Sequence, residues 1–164
     1  MRKSLILSVL VVALSAAAGA QPTTPMDVMQ YYVGTWSCVG GPVGVPPAKA
    51  TFTAVVELGV LREWIVVHEQ DKQKSTFSIA ATISYDAKKH RYVQTSLDSF
   101  GGWDVSVAKA WSGNTEHWAD IANSDGKLGL AQIVRSDKDT YTLSTWETTT
   151  SRKPNFGVSC KRSS

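Results

Sequence analysis

The sequence lacks the residue patterns on which most enzymes and metal proteins depend. It has two cysteines and three histidines in 164 residues, and none of them forms a Cys-x-x-Cys, His-x-His or His-Glu-x-x-His pattern. No metal site is therefore expected. A Gly-x-Ser-x-Gly elbow, a phosphate-binding loop and a dinucleotide fingerprint are also missing. No catalytic residue can be named from a motif.

A concentrated positive charge is lacking as well. The chain has 17 Lys and Arg residues against 14 Asp and Glu residues. Arg2 and Lys3 lie in the N-terminal segment, and without them 15 basic residues face 14 acidic ones. Nucleic-acid binding needs a basic stripe that neutralises phosphates. A nucleic-acid partner is therefore not expected.

Long hydrophobic runs are absent after the N-terminus. The first 20 residues combine a basic start, an apolar run over 5–18 and a small-residue cleavage site, Ala18-Gly19-Ala20. This pattern predicts a signal peptide over 1–20 and a single domain over 21–164. An uncleaved anchor is the alternative, but a spanning helix needs about 20 apolar residues. We expect export to the periplasm or the extracellular space and no integral membrane span.

Helical patterns are scarce too. One helix is predicted before the first strand, with Thr24 as N-cap, Pro25 in the first turn, Asp27 as the capping-box acid and Gly34 as its end. Turn residues at intervals of roughly eight to twelve then separate ten strand-like segments. The segments are 33–39, 50–57, 61–70, 75–85, 91–99, 102–111, 115–122, 127–135, 140–149 and 155–162.

Alternating apolar and polar residues predict antiparallel strands with one buried face. In the segment 102–111 the apolar set is Trp103, Val105 and Val107. The stretch 40–47 is rich in Gly and Pro, so we expect a lid-like loop there. The fold class is therefore all-β and antiparallel, with a short N-terminal helix.

The opening Val33-Gly34-Thr35-Trp36 resembles the Gly-x-Trp signature of lipocalins and other calycins. The chain also resembles a family of exported bacterial proteins that is classified as a domain of unknown function. The stretch Tyr85-Asp86-Ala87-Lys88-Lys89-His90-Arg91-Tyr92-Val93 and the stretch Asp98-Ser99-Phe100-Gly101-Gly102 carry that second resemblance. The resemblance implies an up-and-down, calycin-like barrel of about ten strands.

The two cysteines suggest how such a barrel closes. In an oxidising compartment Cys38 and Cys160 are expected to form one disulfide, although two reduced, buried thiols remain an alternative. If the first and last strands are antiparallel neighbours, pairing these cysteines places Trp36 opposite Arg162. In calycins a basic residue near the chain end packs over the Gly-x-Trp tryptophan, so Gly34, Trp36 and Arg162 are predicted structural residues.

The resemblance also bears on cofactors. Some calycin-like proteins with a similar opening bind haem. They carry an apolar stretch with Gly and Tyr after the Gly-x-Trp signature, and here Cys38 and the Gly-Pro loop replace it. No cofactor is expected.

Six tryptophans are a high number for a domain of this size. Several of them stand among small residues, a pattern consistent with open space inside a barrel. We predict a lumen that binds an apolar or amphipathic small molecule; a filled barrel is the alternative. The predicted ligand-binding residues are Trp64, Trp103, Trp111 and Trp146, with His68, Asp98 and His117 as polar anchors.

Two other functions remain open at this stage. An isomerase, cyclase or lyase could use a His/Asp pair in the same lumen, and a structural or interaction protein would have a filled barrel. Asp98 could bind a ligand at the barrel mouth or cap the turn before Gly101 and Gly102. A membrane-spanning barrel is disfavoured because charged residues occur on both faces of the predicted strands. The oligomeric state cannot be inferred.

Overall fold

The computed structural model describes residues 24–68 and 76–163, so the predicted signal peptide lies outside the described residues. One 3-10 helix, η1 (Pro25–Tyr32), precedes ten strands. The strands are β1 (Gly34–Pro42), β2 (Ala48–Glu57), β3 (Val60–His68), β4 (Thr76–Asp86), β5 (Arg91–Asp98), β6 (Trp103–Ala108), β7 (Thr115–Asn123), β8 (Leu130–Asp137), β9 (Thr140–Trp146) and β10 (Phe156–Arg162). In the described ranges, no helix has the length and apolar character needed to cross a membrane.

The ten strands form a closed antiparallel barrel in which each strand pairs with its neighbours in sequence. The closing pair joins β1 to β10, with Cys38 opposite Cys160 and Trp36 opposite Arg162. A disulfide bond links the two cysteines across 122 residues of chain. The predicted barrel, disulfide and closing register are all confirmed.

Arg162 ties the closing seam to the N-terminal helix. Its guanidinium carbon lies 4.2 Å from the centre of the Trp36 ring. Its nitrogens donate to the backbone oxygens of Val33 at 2.6 Å and Tyr31 at 2.7 Å. Gly34 has a φ of +119°, and a Cβ there would lie 3.2 Å from the same guanidinium. Glycine at this position permits both the backbone conformation and the close approach of the arginine.

The helix η1 lies at one end of the barrel, which we call the closed end. The Asp27 carboxylate accepts hydrogen bonds from the backbone N–H (2.6 Å) and hydroxyl (2.8 Å) of Thr24. Met29 and Tyr32 have 0% and 3% of their surfaces exposed. The predicted helix is therefore present, although it is a 3-10 helix that ends two residues before Gly34. Its apolar side chains fill this end of the lumen.

The core lies inside the barrel next to η1. Its largest members are aromatic and pack edge to face, for example Trp36 and Tyr141 with ring centres 5.0 Å apart. Such pairs contribute about 0.5–1.5 kcal/mol beyond the burial of their apolar area. The buried core consists of Met29, Tyr32, Trp36, Cys38, Phe52, Ala54, Leu61, Ile83, Tyr92, Ala108, Trp118, Tyr141 and Cys160.

Two predicted boundaries were wrong. Strand β1 continues through Pro42, so residues 40–42 belong to the sheet and not to the expected loop. Gly40 fits there because a Cβ would collide with the backbone of β10. Strand β6 ends at Ala108, so Trp111 lies beyond the strand that was expected to carry it.

Candidate functional site

Two of the predicted ligand-binding tryptophans face outward instead of into the lumen. Trp64 and Trp103 were expected in the lumen, but they lie on the outer wall with 45% and 43% of their surfaces exposed. Glu63 and Ser106 occupy alternate positions on the same two strands, so their side chains point inward. Their exposed fractions are 8% and 5%. The expected lumen position of these two tryptophans was wrong. On the inner side of β6 the small residue Ala108 pairs with two core aromatics, Tyr92 and Trp118.

The outer wall of β3 to β6 contains a groove with a volume of about 360 Å³ that opens to solvent. Trp64 pairs with Ala80, Ala80 with Leu97, and Leu97 with Trp103. The two tryptophans therefore stand in one row across four strands, and strand spacing places their backbones about 14 Å apart. The outer-wall groove is defined by the outward residues Arg62, Trp64, Ala80, Thr82, Thr95, Leu97, Trp103 and Val105.

Polar groups stand beside the indoles in this groove. The Thr82 and Thr95 hydroxyls hydrogen-bond to each other at 2.8 Å. The Arg62 guanidinium lies 5.9 Å from the centre of the Trp64 ring and donates to Glu57 at 2.7 Å. The groove therefore offers flat apolar surfaces, hydroxyl groups and one cation that is already paired with an acid.

Two glutamates are buried inside the barrel, Glu63 on β3 behind this wall and Glu116 on β7. Burial, together with the nearby charge of Glu116, raises the pKa of Glu63 to about 8. Burial raises the pKa of Glu116 to about 7 against the lowering effects of Arg135 and Tyr32. The Tyr32 hydroxyl donates to Glu116 at 3.3 Å. Both carboxyl groups therefore hold their protons well above the usual range for glutamate.

The inner side of the neighbouring strands is polar as well. The Ser96 hydroxyl donates to Asp104, and the Gly129 backbone N–H donates to Asp120 at 3.0 Å. Burial raises the pKa of the Asp120 carboxyl, and the charge of Asp104 raises it too. The lumen thus has a polar sector on β5 to β7, where the sequence pattern had suggested an apolar one.

Trp111 and Trp146, the other two predicted ligand-binding tryptophans, are both half-buried. The Arg135 guanidinium carbon lies 3.5 Å from the centre of the Trp111 ring and 4.1 Å from that of Tyr31. Trp111 therefore takes part in the packing at the closed end of the barrel. Trp146 stands opposite Leu130 in the β8–β9 pair. Neither residue belongs to the outer-wall groove.

The structure does not bring the predicted polar anchors together. His117 is exposed on β7 opposite Gln132. The Asp98 carboxylate accepts the backbone N–H groups of Phe100 at 2.7 Å and Gly102 at 2.9 Å, so it caps the β5–β6 turn. His68 is the last residue of β3, and its side chain is not among those that the structure describes. The described groups include no cluster of three His, Cys, Asp or Glu residues that could hold a metal ion.

Sequence reasoning missed most of the polar groups of the groove and of the lumen. Arg62, Thr82 and Thr95 gave no signal by themselves, because a groove appears only once their strands are adjacent. Glu63 lies among apolar residues of β3. It points to the same face of the strand as Leu61 and Ile65, and this alternation is the signal that would have placed it inside. Glu116 points to the same face of β7 as Trp118.

Comparison with solved structures supports the fold alone. The crystal structure of Rv2717c from M. tuberculosis matches with a TM-score of 0.63 and 11% sequence identity. The match covers 87% of this chain and 99% of that chain. No protein-family model and no curated protein sequence matches the chain.

Proposed function

We propose that this chain is a small-molecule-binding protein that takes an amphipathic ligand in the outer-wall groove. The observation that carries the proposal is the placement of two half-exposed indoles at the two ends of one groove. Tryptophan offers a large, rigid surface with a polar N–H, so it binds ligands at a low cost in conformational entropy. Neither ring is needed for the core, because both point away from it.

The buried core favours the groove over the closed half of the lumen as the binding site. Trp36 and Met29 have no exposed surface, and Tyr141 is only 6% exposed. A ligand entering there would have to displace packed aromatic side chains. The groove volume of about 360 Å³ falls within the range of small-molecule sites, roughly 300–1,000 Å³.

Export is the second part of the proposal. A disulfide that closes the barrel is typical of oxidising compartments outside the cytosol. It agrees with the N-terminal pattern that predicts a signal peptide. Intact mass of the protein secreted by its own host tests this part. A mass equal to that of residues 21–164 is expected, whereas retention of residues 1–20 would contradict the predicted cleavage.

Binding of the dye anilinonaphthalenesulfonate tests the groove, because this probe carries fused rings and an anionic group. We expect saturable dye fluorescence excited through tryptophan. Removing one stacking ring costs about 1–2 kcal/mol, so Trp64→Ala and Trp103→Ala should each weaken binding about 5- to 30-fold.

Leu128→Ala is the matched control, since Leu128 is an exposed apolar residue (44%) that does not line the groove. It should bind the dye as the wild type does. Wild-type affinity in both tryptophan variants, or no saturable binding by the wild type, would contradict the proposal. Far-ultraviolet circular dichroism of each variant confirms that the barrel is folded.

A further inference from the structure

The chemistry of the groove narrows the class of ligand. The groove is open, so one side of any ligand stays in water. Small-molecule sites for apolar ligands bury 70–90% or more of the ligand surface. Every Å² of apolar surface left in water forgoes about 25 cal/mol of binding free energy. A ligand that is apolar on every side would therefore bind weakly in the outer-wall groove.

The floor of the groove adds a requirement for hydrogen bonding. The Thr82 and Thr95 hydroxyls use only one donor and one acceptor position in their mutual hydrogen bond. The remaining positions point into the groove, because both residues are exposed on the outer wall. An acyl chain lying over them would remove water without replacing its hydrogen bonds, which costs about 1–3 kcal/mol for each buried group.

A pyranose ring satisfies both conditions. One of its faces presents C–H groups that pack flat on an indole, and its rim presents hydroxyl groups that bond to threonine or remain in water. Two indoles on backbones that strand spacing places about 14 Å apart suit a chain of rings better than a single ring. Arg62 contacts the Trp64 ring at this end of the groove.

We infer that the ligand of the outer-wall groove is a linear oligosaccharide whose rings stack on Trp64 and Trp103 and whose hydroxyls bond to Thr82 and Thr95. This inference rests on the proposed function and specifies its ligand. The inference concerns binding alone and includes no covalent step.

Isothermal titration with cellohexaose, maltohexaose and chitohexaose tests the inference on the disulfide-bonded protein. At least one of the three should bind, and Trp64→Ala or Trp103→Ala should weaken it about 5- to 30-fold. The double variant Thr82→Val and Thr95→Val keeps the shape of the groove and removes both hydroxyls. It should weaken the sugar about 5-fold or more and leave anilinonaphthalenesulfonate binding unchanged.

The outcomes separate the two proposals. If no hexasaccharide binds but the dye binds through Trp64 and Trp103, the oligosaccharide inference is wrong and the groove remains a small-molecule site. A hexasaccharide that binds equally well to the two tryptophan variants, or to the double threonine variant, also overturns the inference. If neither sugar nor dye binds, both proposals fail. Leu128→Ala serves again as the control and should bind like the wild type.

Discussion

The two buried glutamates predict that the barrel loses stability as the pH rises. Glutamate has a pKa near 4.5 in the unfolded chain, whereas burial raises the pKa of Glu63 to about 8 and that of Glu116 to about 7. Between about pH 4.5 and pH 8 the native state binds more protons than the unfolded state. The free energy of unfolding therefore falls with rising pH. The stabilisation is complete below about pH 4.5 and is lost as the pH passes through 7 and 8.

The magnitude follows from the size of the shift. One pKa unit corresponds to about 1.36 kcal/mol, so the Glu63 shift of about 3.5 units corresponds to about 5 kcal/mol. Part of this shift comes from Glu116, so the contributions of the two residues are coupled and do not add in full. Tyr32 and Tyr141 remain neutral over the whole range because burial raises their pKa values. A loss of several kcal/mol is a large part of the stability of a domain.

Glu63→Gln tests this reasoning, since glutamine keeps the shape and does not titrate. At about pH 5 the variant and the wild type should have similar free energies of unfolding in urea. At about pH 8.5 the variant should be more stable by roughly 3 kcal/mol, which corresponds to about 6–12 °C in melting temperature. Glu147→Gln is the control, because Glu147 is an exposed glutamate paired with Lys127.

Equal stability of the wild type at both pH values would contradict a protonated, buried Glu63. An equal fall in stability in Glu63→Gln and in the wild type would contradict it too.

Two further predictions concern the closing seam. Arg162→Lys should lower the free energy of unfolding by about 2–4 kcal/mol in urea denaturation, because lysine cannot keep the stacking on Trp36 and the separate bonds to Val33 and Tyr31. Lys161→Arg, at an exposed neighbouring position, should leave it unchanged, and equal stability of the two variants would contradict the role of Arg162. The Cys38→Ser and Cys160→Ser double variant should lose on the order of 5 kcal/mol, as expected for a 122-residue loop. Reduction of the wild type by dithiothreitol should reproduce that loss, and an unchanged melting temperature after reduction would be inconsistent with it.

The strand order could be predicted from the sequence because its signals are local, whereas closure into a barrel was what the resemblance to calycins implied. Explicit turn residues separate the strands, so the strand count and the antiparallel order followed directly. The cysteines at 38 and 160 then determined the register of the first and last strands, which placed Arg162 over Trp36.

The orientation of β6 could not be predicted in the same way. Hydrophobicity alone places Trp103 inside and Ser106 outside, the reverse of what is found. What decides the orientation is the space left beside the core aromatics and the register with the neighbouring strands. Neither is visible along a single strand. The groove was missed for the same reason, since its residues come from four strands.

Heteronuclear NMR of the indole N–H groups shows whether the ligand lies on the outer wall or in the lumen. The resonances of Trp64 and Trp103 can be assigned from Trp64→Phe and Trp103→Phe. During titration with anilinonaphthalenesulfonate, we expect large shifts at these two indoles and small shifts at the buried Trp36 and Trp118. Large shifts at Trp36 or Trp118, with Trp64 and Trp103 unmoved, would place the ligand in the lumen and contradict the outer-wall site.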